Sequence, residues 1–335
     1  MWTSKVWFVL GTAALLLLAA VLAGTLLKSS SGSEALQYFE QNFLTRAAAY
    51  QRSAVIVSVA RQLIFWGGLS AVAAVVWKQF PFQPRAPLLP TVAYLALIVL
   101  LLSLLTFPLD YYRGFILEHR FGLSLQSFSA WLADYAKNFS ISFLLTVLAL
   151  SGLHLLMARL PGRWWPAAGI FVTLFLVLST YLYPVIIDPL FYRFTTLEDE
   201  ELHSSIIEMS KEAGIEVDKV LVADASRRTT KVNAYFTGMG RTKRIVIFDN
   251  LLAGFSKEEI LAVIAHEMGH WKHSHIFKGI VLGAAGMFLG FFLLQRLLDG
   301  MGAGSGIQGL TLALLYFSLF SFVSLPVQNA FSRAF

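Results

Sequence analysis

The sequence predicts a mainly α, polytopic membrane protein with about seven transmembrane helices and a small α/β segment on the cytoplasmic side. Three observations predict it. First, 57% of the 335 residues are hydrophobic and only 14% are charged, where a soluble domain runs near 25% charged. Second, the apolar residues gather in runs of about 20, the length that crosses a bilayer. Third, Leu197 to Glu259 breaks that pattern with dense charge and apolar spacing typical of a soluble α/β unit.

Taken in order, Val6 to Leu27 is an unbroken apolar run after Lys5. It is too long for the core of a signal peptide and is read as a retained first span. Lys28 to Ser53 is polar, with a serine-rich break at Ser29–Ser33 and then an amphipathic helix. Ala54 to Trp77 is the second span; Arg61, near one end, is expected to snorkel to the interface. Pro81, Pro84, Pro87 and Pro90 stiffen the next connection. Thr91 to Leu109 is the third span, and Asp110 to Lys137 reads as a polar, aromatic loop whose lone His119 is expected to be solvated. Phe139 to Met157 and Pro166 to Ile187 are the fourth and fifth spans, with Trp164 and Trp165 at the interface between them.

The soluble-like segment reads as a helix from Glu198 to Ala213, β-like runs at Lys219–Asp224 and Arg244–Phe248, and a further short run at Ala234–Thr237. A helix within Leu251–His275 then continues into the sixth span, Ile276 to Leu298. The glycine-rich loop Gly300–Gly306 leads to the seventh, Ile307 to Pro326. The organisation is therefore residues 1–187 as five spans, 188–275 as the soluble-side segment, and 276–335 as two further spans. Lysine and arginine in the short loops place Leu197–Glu259 in the cytoplasm and the N-terminus outside. The net charge of +6 is scattered beside apolar segments, which suits anionic lipid and not nucleic acid. The absence of cysteine excludes disulfides, thiolate metal ligands and a cysteine nucleophile.

The chemistry sits in Leu261–His275, LAVIAHEMGHWKHSH, where His266, Glu267 and His270 make H-E-x-x-H. On a helix, residues four apart share a face, so both imidazoles serve one Zn2+ ion. Glu267, beside the first ligand, is placed to take a proton from an attacking water. Ser256 with Glu259 three residues on forms a capping box that starts the helix. This combination reads as a zinc metallopeptidase.

Several segments resemble the Ste24-type CAAX prenyl proteases, membrane zinc metalloproteases of the gluzincin group. They are ILEHRFGLS (Ile116–Ser124), IDPLFYRFTTLEDEEL (Ile187–Leu202), KVNAYFTG (Lys231–Gly238), FDNLL (Phe248–Leu252) and AHEMGHWKHSH (Ala265–His275). The resemblance implies seven helices around a water-filled chamber with one zinc ion facing inward. It implies a peptide or prenylated protein substrate whose backbone pairs with the N-A-Y-F strand, with Asn233 and Tyr235 near the site. His275 matches the family's trailing histidine; it either supports the site and substrate or is a polar residue at the membrane entrance.

One departure concerns the third zinc ligand, which in the family is a glutamate in a later S-R-x-F-E motif. This sequence reads Ser332-Arg333-Ala334-Phe335 at that point, and no glutamate follows Glu267. Two protein ligands stand where catalytic zinc takes three plus water. Either the native protein continues and supplies that ligand or this is a truncated form, so an inactive truncated form or a membrane scaffold with the same fold is the alternative to the peptidase. His273 shares the helical face but lies about 10 Å from His266 along the axis, so it is read as a supporting or solvated residue.

Overall fold

The structure is a computed structural model and describes residues 2–27, 35–80, 86–217, 219–238 and 243–333. The serine-rich break, Pro81 and Pro84, and the last two residues, Ala334 and Phe335, lie outside the described residues. In chain order come α1 (Trp2–Leu27), α2 (Gln41–Gln79), α3 (Leu88–Tyr111), a π-helical turn Tyr112–Leu117 and the short α4 (Glu118–Arg120). Then follow α5 (Phe128–Arg159), α6 (Trp164–Leu182), a second π turn Tyr183–Ile187, β1 (Phe194–Thr196), α7 (Glu200–Glu212), β2 (Lys219–Ala223) and β3 (Ala234–Thr237). The chain continues through β4 (Arg244–Phe248), α8 (Asp249–Gly254), α9 (Lys257–Lys272), α10 (His275–Met301) and α11 (Ile307–Arg333).

Among the described residues, six stretches are long and apolar enough to cross a membrane: Gln41–Gln79, Leu88–Arg120, Phe128–Arg159, Trp164–Leu190, His275–Met301 and Ile307–Ser332. α1 adds the apolar stretch Val9–Thr25, at the lower limit of the ~17–25 residues that span a bilayer. The chain is a multi-pass membrane protein of the predicted class.

Four local expectations are corrected. The amphipathic helix and the second span are one helix, α2, roughly 58 Å long at 1.5 Å per residue. The loop expected at Asp110–Lys137 is helical up to Arg120 and again from Phe128. Arg61 does not snorkel: its Nε donates to Asp110 Oδ1 at 2.5 Å. His119 is half-buried, its Nδ1 2.7 Å from the Phe115 carbonyl and its ring 4.2 Å from the Phe115 ring. For Arg61 and Asp110 the cause is pairing in space, because a paired charge tolerates a helical, partly buried setting.

The chain forms two compact units. One takes in residues up to Phe121, Tyr135–Ala168 and Leu289 onward. Its apolar packing joins Ala14 and Leu18 to Val59, Trp66 and Leu319, and Trp66 donates its indole N–H to Ser318 Oγ at 2.8 Å. Polar side chains fasten its helices as well: Tyr50 donates to Glu118 at 2.5 Å, and Gln308 donates to the Phe80 carbonyl at 3.0 Å.

The other unit comprises Gly122–Asp134 and Gly169–Phe288. Its sheet has the order β1-β2-β4-β3, with β2 and β4 parallel and both edge strands antiparallel to their neighbours. Strand side chains alternate between faces. On β3, Ala234 and Phe236 face a core with Ile245, Ile247, Leu202, Ile206, Ile260, Ile264 and Met268. On the opposite face, Tyr235 packs with Val246, Phe248, Tyr192 and Phe194. The sheet thus lays its edge strand β3 against α9.

Candidate metal centre

α9 begins where the sequence says it must. Ser256 Oγ accepts from the Glu259 amide, and the Ser256 amide donates to Glu259 Oε2 at 2.8 Å, which completes the capping box. Ile260, Ile264 and Met268, spaced by four, form the buried stripe of the helix. Burying that stripe fixes the rotation of α9. His266 and His270 therefore emerge exposed on the other side, with Glu267 half-buried beside them. Trp271 secures the C-terminal end, its ring 4.8 Å from that of Phe236 on β3 and its face under the Lys243 ammonium at 5.3 Å.

His266 Nε2 and His270 Nε2 lie 3.2 Å apart. Two nitrogens each about 2.05 Å from one tetrahedral ion stand about 3.3 Å apart, so the imidazoles present their donors at the spacing zinc requires. With a Glu267 oxygen included, the three donor atoms all fall within 4.8 Å of one another, and among the described residues this is the one such group. His266 and His270 offer two imidazole nitrogens of the kind zinc takes, with the Glu267 carboxylate beside them.

The helix does not continue into the sixth span. It stops at His273, and Ser274 adopts φ 55°, a left-handed conformation uncommon outside glycine. The turn is closed by Ser274 N donating to the Trp271 carbonyl at 2.8 Å. This break returns His275 to the motif: its Nδ1 is 2.7 Å from His270 Nδ1. His273, at the helix C-cap, is exposed and stacks on His275 at 5.8 Å.

Asn233 and Tyr235 are placed differently. Asn233 is exposed just before β3, and its carbonyl accepts from the Phe248 amide at 3.0 Å. The Tyr235 side chain lies on the sheet face away from the α9 stripe and donates to Asp188 Oδ2 at 3.3 Å. Burial, and next the Asp188 charge, push its phenol well above the usual range, so it stays a neutral donor. Asp188 is also held by Arg244 at 3.2 Å. Of the sequence-derived site residues, His266, Glu267, His270 and His275 form one cluster, while Asn233 immediately precedes the adjoining edge strand and Tyr235 lies on it.

The family description "Peptidase family M48" matches residues 196–335, and "CAAX prenyl protease N-terminal, five membrane helices" matches residues 33–193. The chain is 33% identical over 255 residues to an uncharacterized metalloprotease, YhfN, of Bacillus subtilis (strain 168), covering 73% of this chain and 60% of that protein. It is 35% identical over 204 residues to CAAX prenyl protease 1 of Saccharomyces cerevisiae, covering 61% of this chain and 45% of the relative. The matched part thus spans about half the length of these curated relatives. A crystal structure of S. mikatae Ste24p superposes with a TM-score of 0.74 at 24% identity, over 97% of this chain and 82% of that one, which shows a shared fold. Between them the two family matches leave only residues 1–32 and 194–195 uncovered, and the chain belongs to the M48 peptidase family with a CAAX prenyl protease N-terminal region.

Proposed function

We propose that the chain is a membrane zinc metalloendopeptidase in which His266 and His270 hold the metal and Glu267 is the general base. The observation that carries this reading is the 3.2 Å separation of the two Nε2 atoms beside the Glu267 carboxylate. Bound zinc would act as a Lewis acid toward the peptide carbonyl and lower the pKa of water. The residues supply the rest. Glu267 takes the proton of the attacking water and returns it to the leaving amine. His275, hydrogen-bonded to His270 through the two Nδ1 atoms, fixes the ring so that Nε2 faces the metal. The edge of β3, entered at Asn233, has no strand beside it among the described residues and offers backbone groups on which an extended peptide can add as a strand. Tyr235 braces that strand from the opposite face through Asp188.

In this reading residues 188–275 are the catalytic segment, residues 1–187 and 276–335 supply the membrane spans, and the site opens to a chamber near the cytoplasmic face. The names of the relatives and the resemblance of the motifs support substrates that are prenylated protein C-termini, with proteolysis of membrane proteins as the broader form of the same activity. A scaffold that keeps the fold without the reaction is the competing reading. Zinc content and hydrolysis of a fluorogenic farnesylated peptide decide between them. His266→Ala and His270→Ala should each lose both zinc and turnover. Stoichiometric zinc in both variants would remove these residues as ligands.

A further inference from the structure

We infer that Asn250 is a positioning residue that sets the entry of the edge strand β3. This inference rests on the reading of β3 as the substrate-pairing strand. Three consecutive residues at the end of β4 and the start of α8 hold the whole connection that precedes β3. The Phe248 amide donates to the Asn233 carbonyl at 3.0 Å. Asp249 accepts from the Ser226 amide at 2.8 Å and from the Ser226 hydroxyl at 2.5 Å. Asn250 Nδ2 donates to two carbonyls at once, Thr229 at 3.0 Å and Lys231 at 2.9 Å.

The last pair is the informative one. Two carbonyls two residues apart converge on a single amide nitrogen, and only a side chain with two N–H groups on one atom satisfies both. Asn250 Oδ1 is buried and has no hydrogen-bond partner among the described residues, so the amide is oriented for its donors at a cost to its acceptor. A side chain kept only for packing would not carry that cost. On its other side the same segment is tied to Gly122 and Leu123, whose carbonyls accept from the hydroxyls of Thr230 and Thr229, each at 2.8 Å. The chain leaves this clamp at Lys231 and three residues later, at Ala234, becomes the strand packed on α9 through Phe236 and Trp271. A shift of the 229–231 carbonyls therefore moves the edge of β3 relative to the motif helix, and with it the backbone of any peptide paired there.

The test is Asn250→Asp, which keeps the size and removes both N–H donors, with Ser226→Ala as a control that loosens the neighbouring loop without touching the two carbonyls. Two measurements are made on each full chain: hydrogen exchange of the Asn233–Phe236 amides, and KM and kcat for a fluorogenic farnesylated peptide. Asn250→Asp should speed exchange of those amides and raise KM about tenfold with kcat changed less than about twofold, at unchanged zinc content. Ser226→Ala should do neither. Unchanged exchange in Asn250→Asp overturns the clamp. Faster exchange with unchanged KM overturns its role in positioning substrate. If the wild-type chain cleaves no peptide, the peptidase reading fails separately, and the affinity of the same peptide for wild type and Asn250→Asp takes the place of KM.

Discussion

His270 Nδ1 and His275 Nδ1 lie 2.7 Å apart, a contact that a continuous helix forbids. Residues five apart in an α-helix are about 7.5 Å apart along the axis and about 140° apart around it. The contact exists because α9 ends at Lys272 and the left-handed Ser274 redirects the chain before α10 begins. The break that separates the motif helix from the membrane helix thus also buttresses the second histidine of the motif.

The first prediction concerns that buttress. His275→Ala removes the partner that fixes the tautomer and tilt of His270, and such losses weaken metal affinity by about 10–100-fold. Competition for zinc against a chelator of known affinity measures it. An unchanged dissociation constant would reduce the contact to packing at the helix junction.

The second concerns the ion pair inside the membrane bundle. Arg61 and Asp110 meet at 2.5 Å, with side chains 40% and 21% exposed, and the Tyr135 hydroxyl donates to the same carboxylate at 3.4 Å. Arg61→Met strands a carboxylate in apolar surroundings and should destabilise the protein by about 2 kcal/mol. Arg61→Met with Asp110→Leu should recover most of the loss, because replacing both partners avoids the uncompensated charge. A double-mutant cycle in detergent measures the coupling. Additive effects would mean that the two side chains act independently.

The third concerns topology. By the positive-inside rule, basic residues in the short loops predict a cytoplasmic soluble-like segment, and the sequence has no cysteine to confuse labelling. A cysteine at exposed Ser204 on α7 should resist an impermeant thiol reagent in intact cells, whereas one at exposed Gln79 at the end of α2 should react. The opposite labelling pattern would invert the orientation.

What the sequence made legible was local. The capping box at Ser256 and Glu259, the spacing of Ile260, Ile264 and Met268, and the shared face of His266 and His270 all follow from helical periodicity within one segment. The strands at Lys219–Ala223, Ala234–Thr237 and Arg244–Phe248 were legible within single segments too, as short β-like runs. What stayed hidden was non-local. Arg61 finds Asp110 49 residues away and Glu118 takes the Tyr50 hydroxyl 68 residues away, so charges that looked like a loop are compatible with helix through Arg120. Tyr235 lies on β3 beside the motif helix, and strand alternation turns its side chain to the sheet face opposite the α9 stripe, which only the folded sheet shows. The turn at Ser274 was invisible because serine carries no signal for positive φ. Asn250 stood out only as part of a familiar segment, since its two carbonyl partners are 19 and 21 residues upstream.

The most direct test of the account is Glu267→Gln. Glutamine keeps the shape of the glutamate but cannot take a proton from water. Zinc stoichiometry by elemental analysis and hydrolysis of the farnesylated peptide are measured on the same purified sample of the full chain. The account predicts zinc retained by His266 and His270, with turnover reduced by about 10²–10⁴-fold. Near-normal turnover in the zinc-loaded variant would contradict it, because the base would then lie elsewhere.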